Sequence, residues 1–523
     1  MGLWKKVRDR DGLREDIALS TFALLYIGFF VNLNLIYDWD TVVRMWNFGR
    51  SIFGRDEGVT HFLVSIIATI PVKFGLDPLA SFKLVTVIFG MTAVLATYKL
   101  AYGESKDRQL AILAALFLLF NAGFTFLVTT LEDNIMLEAF VALFALFLLK
   151  ERWFLAALAL SIGILVHVQM EVFLPMLIFY ALLKLDLSSL MRDPGHVASW
   201  IKAQISPKAR RTAAITSLGF LPLIVAYAYL LMVEGWTLFG AFHGVITDLM
   251  ASGTAYHGDP SLWFFISGKT PKEWVGWIYV GFTSTFVCHY PGYLKEMPKA
   301  PVFAAVLLVL VVYILFTGLS LNAKTLCAIP TYLLLMVHTA LFEPWNAERW
   351  DFFPFMIVYF VAVGYVAKGH VTRMRLKWAL AFAVIFSAMF TFSCYNSFCG
   401  FGESQWIAYV DELPKMLDNE STVLEMTEAS NSWLGYYLRY RCCDDKVLFL
   451  ANDTNLTKIL LTKKVYSSQI SCNKLNDTTI NSTLVKQVRG RTTAETIWVN
   501  RVDPNWNIVK VNVSSTSPYL RGV

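Results

Sequence analysis

The chain has 523 residues, of which 56% are hydrophobic and 16% charged, against about a quarter charged in an ordinary soluble domain. A mean hydropathy of +0.52 excludes a water-soluble globule and points to a chain folded largely in lipid. The net charge of +6 is modest. Because Lys and Arg outside the C-terminal tail gather in a few short loops, this charge orients a membrane protein and gives no reason to expect nucleic acid as a partner.

In chain order, residues 1–16 are charged (Lys5, Lys6, Arg8, Arg10, Arg14), and the apolar run behind them already has spanning length. It is read as a retained anchor, not a cleavable signal. Membrane spans are expected at 17–36, 81–101, 110–130, 134–150, 153–169, 170–184, 213–234, 300–320, 325–342, 353–368 and 377–396. The stretch 61–76 is apolar but only 16 residues long, and it contains Pro71 and Lys73. It is expected to be re-entrant or interfacial.

Parity supports that choice. With eleven spans, the basic loops around Lys106 and Arg108, around Arg192, Lys202, Lys208 and Arg210, and from Lys368 to Lys377 share the side of the basic N-terminus. This is the cytoplasmic side by the positive-inside rule, which a crossing at 61–76 would violate at the two most basic loops. The tail is then extracytoplasmic. Six N-x-[ST] sequons (Asn419, Asn452, Asn455, Asn476, Asn481, Asn512) all follow the last span, as in a segment exposed to a glycosylating compartment. Five of the seven cysteines (Cys394, Cys399, Cys442, Cys443, Cys472) lie at or beyond its outer end, which fits an oxidising space. An archaeal cell membrane and an endoplasmic reticulum fit equally.

The tail alternates short apolar runs (422–426, 446–450, 464–466) with helix-like stretches (432–439, 456–461). This pattern predicts a small α/β domain with a short sheet. The fold class is therefore an α-helical polytopic membrane protein of eleven spans (residues 1–400) with an extracytoplasmic α/β domain (401–523).

On this topology acidic residues mark three outer turns at the membrane edge. Asp38 and Asp40 follow the first span, Glu132 and Asp133 close the third, and Glu343, Glu348, Arg349 and Asp351 precede the tenth. Ionisable groups at membrane depth are costly and are functional candidates by default. A single such acid serves as well for a solvated terminator or a helix N-cap, and Arg349 beside Trp345 and Trp350 for an interfacial anchor. Convergence of several on one face favours a site. His167, between two spans, is read as a core or loop histidine.

The layout resembles the GT-C superfamily of polytopic glycosyltransferases, which includes protein O-mannosyltransferases and the lipid A aminoarabinose transferase. The resemblance is carried by Asp38-Trp39-Asp40 after the first span and by the amphipathic stretch 42–54. Thr60-His61-Phe62, Glu132-Asp133 and Asn346-Ala347-Glu348-Arg349-Trp350 complete it. The Pro-Pro pair that often follows the histidine in relatives is missing, and no Trp-Trp-Asp-Tyr-Gly motif stands in the tail, which argues against an oligosaccharyltransferase catalytic subunit.

The resemblance implies an inverting glycosyltransferase that moves a sugar from a polyprenyl-phosphate-linked donor, one or two phosphates, to a glycan, lipid or protein acceptor. Asp40 is implied as general base with Asp38 as the alternate, a role that partial burial and a second carboxylate would assist. Glu132, Asp133 and His61 are implied in substrate binding. Arg349 would grip the phosphate through its planar fork of donors, with Lys269 or Lys272 assisting. No cofactor is certain. Metal dependence varies among relatives, so a divalent cation, magnesium or manganese, on Asp40, Glu132 and Asp133 stays open.

The main alternative is a transporter or flippase using the same outward-facing acids. It predicts mid-span charges and a repeat between halves, and the sequence has few of the first and no sign of the second. A scaffold protein would leave the four acids freely replaceable.

Overall fold

The computed structural model describes residues 2–32, 62–76, 78–130, 134–183, 207–233, 300–342, 352–402, 407–425, 447–449, 464–468, 492–499 and 507–513. The chain divides into two compact units, one carrying the described residues up to Ser393 and the other those from Cys394 onward.

The first unit is helical. Its elements are α1 (Gly2–Asn32), α2 (Phe62–Lys73), α3 (Pro78–Ser105), α4 (Arg108–Leu119), α5 (Ala122–Thr130), α6 (Asn134–Leu149) and α7 (Trp153–Val166). A 3-10 turn (Val168–Phe173) leads into α8 (Leu174–Leu182), followed by α9 (Pro207–Gly219) and α10 (Leu221–Val233). Then come α11 (Ala300–Gly318), α12 (Ala323–Phe342), α13 (Phe352–Tyr365) and α14 (His370–Gly402). Among the described residues three helices are long and apolar enough to cross a membrane, and five crossings result if two bent pairs each count as one. The chain is an integral membrane protein of the helical type, because a segment in lipid must satisfy its backbone polar groups internally.

Pairing contacts set the direction of each helix. At one end of the bundle Asp16 of α1 pairs with Lys99 of α3, and Glu15 pairs with Arg108 of α4 at 3.4 Å. At the other end Lys83 Nζ donates to Asn32 Oδ1 at 3.4 Å. Thus α1 and α3 are antiparallel, and α1 runs parallel to α4 and α5, meeting them at the Tyr26–Phe120 rings (centroids 5.1 Å apart) and the Tyr26–Thr125 hydroxyl pair at 2.8 Å. The connection from α1 to α3 therefore starts and finishes at the same end and makes no net crossing. Here α2 stands at the head of α3, where Ser81 Oγ donates to the Ala68 carbonyl at 2.5 Å.

The end with Asp16 and Lys99 is called here the basic end. Asp107 ties three helices together there. Its carboxylate caps α4 through the Leu110 amide at 3.1 Å, accepts from Tyr365 of α13 at 2.7 Å and pairs with Lys377 of α14 at 2.6 Å. From Lys377, α14 rises alongside α1 to Phe392, whose ring meets those of Tyr26 and Phe30 at 6.5 and 6.4 Å. Because α1 and α14 run the same way, an odd number of crossings lies from the first to the last.

The segment 110–130, expected as one span, is broken. α4 and α5 meet at 53°. The cause is local: Asn121 Oδ1 accepts from the Phe124 amide at 3.2 Å and starts a new helix, while Thr391 Oγ1 of α14 donates to the freed carbonyl of Phe120 at 3.0 Å. Side chains of neighbouring helices thus replace the broken ladder, as lipid requires. α9 and α10 are bent likewise by 45°.

In the second unit α15 (Ile407–Met416) precedes a five-stranded sheet of β1 (Ser421–Glu425), β2 (Val447–Phe449), β3 (Lys464–Ser468), β4 (Thr492–Trp498) and β5 (Ile508–Val513), ordered β2-β1-β3-β5-β4. β1 pairs in parallel with β2 and β3, while β5 pairs antiparallel with β3 and β4. Val423, Val465, Ile508, Val509 and Val511 are buried. Lys464 Nζ reaches Asp418 in the turn before β1 at 2.6 Å. That ammonium, and then the Ser421 hydroxyl, hold the Asp418 carboxyl down to about 2.

Candidate functional site

The helix directions place the ends of three connections at one end of the bundle. α1 leaves the basic end and finishes at Asn32, beyond which lie Asp38, Asp40 and His61 in sequence. α5, parallel to α1, finishes at Thr130, and α6 starts at Asn134 beyond Glu132 and Asp133. α12 begins at the basic end, where Lys324 pairs with Glu104 at 2.7 Å. α13 finishes there at Tyr365. The start of α13 packs on α12 through the Phe353 and Tyr332 rings, 5.2 Å apart. The connection carrying Arg349 thus also opens and closes at the far end.

Asp38, Asp40, His61, Glu132, Asp133, Lys269, Lys272 and Arg349 themselves lie outside the described residues. The helices that carry the first three connections nonetheless pack side by side: α1 against α3 and α5, and α13 against α3, α4 and α6.

The described residues also hold buried polar side chains that lie outside the acids singled out in the sequence. Asn134 and Glu138 are four apart on α6, hence on one face, and both are buried at 3% exposure. Gln169, in the 3-10 turn that packs against α6, is 2% exposed. Among the described residues Asn134 Oδ1, both carboxyl oxygens of Glu138 and both amide atoms of Gln169 lack a hydrogen-bond partner. Burial without a partner is expensive for each of them, and a carboxyl at membrane depth is retained for a task more often than for packing. The signal for Glu138 stood in the sequence, as one acid inside the apolar run 134–149. Gln169 carries no charge to flag it.

His167 is a local element, as expected from its place between spans: its Nδ1 accepts from the Gln169 amide at 3.2 Å and starts the 3-10 turn. Among the described residues no group of three His, Cys, Asp or Glu is placed to hold a metal ion. The cation alternative rests on Asp40, Glu132 and Asp133, outside those residues.

The architecture shares its fold with a solved structure. That structure is ArnT from Cupriavidus metallidurans bound to undecaprenyl phosphate, at 12% identity and TM-score 0.50, with 95% of this chain and 98% of that one covered. The apo state of that protein aligns at 14% identity and TM-score 0.39 over 97% and 99% of the two chains. No family model and no curated protein matches the chain. At such identity the likeness is one of fold.

Proposed function

We propose that the chain is a membrane glycosyltransferase that takes a sugar from a polyprenyl-phosphate-linked donor and passes it to a hydroxyl acceptor on the extracytoplasmic side. The observation that carries this reading is the common end at which the connections bearing Asp38 and Asp40, Glu132 and Asp133, and Arg349 begin and finish. The fold shared with an undecaprenyl-phosphate-bound ArnT supports the lipid-linked donor. The positive-inside distribution supports the sidedness and the eleven spans.

In the reaction Asp40, or Asp38 as alternate, takes the acceptor proton as the acceptor oxygen bonds to the anomeric carbon. The bond from that carbon to the phosphate oxygen breaks, with inversion, and the electron pair leaves on the lipid phosphate. Arg349 balances the charge that develops there. Glu132, Asp133 and His61 orient the acceptor.

Purified protein assayed against a panel of polyprenyl-phosphate sugars tests this. Asp40→Asn should lower turnover by about a hundredfold or more, the usual scale for a general base, at unchanged expression. Full rates in both Asp40→Asn and Asp38→Asn would remove the base assignment. Arg349→Ala should weaken donor binding.

A transporter remains the second reading because of Glu138, a buried intramembrane carboxyl. Glu138→Leu separates the two. It removes an unsatisfied buried group and should raise thermal stability by about 1–3 kcal/mol. Lipid-sugar translocation in proteoliposomes that Glu138→Leu abolishes, with no sugar transfer by the parent protein, would favour the transporter.

A further inference from the structure

The basic end holds a cavity of about 800 Å³ between the last turns of α3, α6 and α13 and the first turn of α12. Its charged lining is Lys99, Lys106, Lys150 and Lys324 against one carboxylate, Glu104. Leu146, Leu149 and Val363 give it an apolar wall. Three of the lysines are engaged: Lys99 with Asp16, Lys324 with Glu104 at 2.7 Å, and Lys106 with the Gly103 carbonyl at 2.6 Å. The Lys150 ammonium has no ion pair or hydrogen bond among the described residues, and the charges acting on it, Arg152, Lys99 and Lys106, are all positive.

Helix C-termini attract cations: Lys106 serves that of α3, and residues outside the cavity serve those of α11 and α13. Lys368 donates to the Leu319 carbonyl just past α11 at 2.6 Å. Arg373 donates to those of Tyr365 and Val366 at 3.2 and 2.5 Å. The Lys150 ammonium is left over on the cavity wall. The backbone of the cavity is held out of the ordinary too. Lys106 at φ 57° and Glu151 at φ 55° are the non-glycine residues with left-handed φ among the described residues, at the turns leaving α3 and α6, where glycine is the easier choice. A lysine kept at 106 leaves its charge on the cavity wall.

The depth is also fixed. Trp153 opens α7 three residues after Lys150, and Trp378, 62% exposed, follows Lys377. Tryptophans collect where headgroups begin.

We propose that this cavity binds the phosphate of an anionic phospholipid from the leaflet at the basic end, with Lys150 and Lys106 on the phosphate oxygens and the leucines against the glycerol and first methylenes. Basic pockets between membrane helices suit such headgroups. Free inorganic phosphate offers the same oxygens but has no use for the apolar wall.

Full-length protein in detergent, incubated with phosphatidylglycerol or phosphatidylcholine and examined by native mass spectrometry, tests the proposal. Phosphatidylglycerol should be retained in preference to phosphatidylcholine. The double variant Lys150→Gln, Lys106→Gly should retain about tenfold less of it, since each lysine near a charged headgroup contributes measurably, whereas Lys150→Arg should match the parent. Glycine at 106 suits the φ found there and Lys150 is exposed, so the double variant is expected to fold. A rise in Tm on adding phosphatidylglycerol, present in the parent and absent in the variant, reads the same site independently. Equal retention by parent and double variant, or equal retention of the zwitterionic lipid, overturns the proposal. Displacement of phosphatidylglycerol by inorganic phosphate overturns the lipid assignment in favour of a free anion.

Discussion

Gly364 and Gly318 mark the tightest helix contact in the described bundle. A Cβ built on Gly364 would stand 2.0 Å from the Gly318 carbonyl oxygen, a backbone atom that cannot turn aside. Small residues at such crossings let helices approach in lipid, where no hydrophobic force pushes them together. Gly364→Ala should therefore push α13 from α11 and cost about 1–3 kcal/mol, the usual scale of overpacking, read as a lower Tm in detergent. Gly28→Ala in α1, where a Cβ meets nothing within 4 Å, should leave Tm unchanged or slightly raised. Neither contact was legible in the sequence, because a glycine in an apolar run does not say which helix it faces. Glu138 was legible, as one acid inside an apolar run, where charge is far costlier to keep than at helix ends.

At the scale of elements, apolar length located the helices but not their breaks. The run 110–130 reads as one span, yet Asn121 supplies a capping oxygen in its middle and Thr391, far along the chain, supplies the donor for Phe120. The first cue is local and visible in retrospect; the second exists only after folding. Strands β1, β2 and β3 fall on the apolar runs noted at 422–426, 446–450 and 464–466, while β4 and β5 went unread because Thr492–Trp498 and Ile508–Val513 interleave polar with apolar residues.

The Asp107 junction allows a test by pH. Burial pushes its carboxyl up, but hydrogen bonds from Lys377 and Tyr365 and from the Leu110 amide outweigh it and hold the group below the usual carboxylate value. A depressed folded value means that the stabilisation is fully present above the unfolded value, about 3.9, and is lost as pH falls through the folded one. Asp107→Asn keeps a capping oxygen for α4 and loses the charge. It should cost about 1 kcal/mol at pH 7, a figure reduced for screening by water. The gap between parent and variant should close as unfolding is measured at successively lower pH below about 4.

For the whole molecule, what the sequence carried was direction. Charge placement alone put the basic loops on one side, and the helix pairings agree that α1 and α14 run the same way and that the segment before α3 makes no net crossing. A charge pattern can achieve this because positive loops resist translocation one by one, so orientation is written locally. The meeting of Asp40, Glu132 and Arg349 is not, since it needs three hairpins to share an end, and only the helices flanking them supply that. The tail gives the most direct check on orientation. Asn419 lies exposed in the turn ahead of β1, and its sequon is completed by Ser421. Expressed in a eukaryotic host, the protein should lose apparent mass on treatment with a peptide N-glycosidase, and Asn419→Gln should shift by one glycan less. A chain whose mobility does not change, with all six sequons intact, would place the tail in the cytoplasm and turn the proposed site to the side where nucleotide sugars are found.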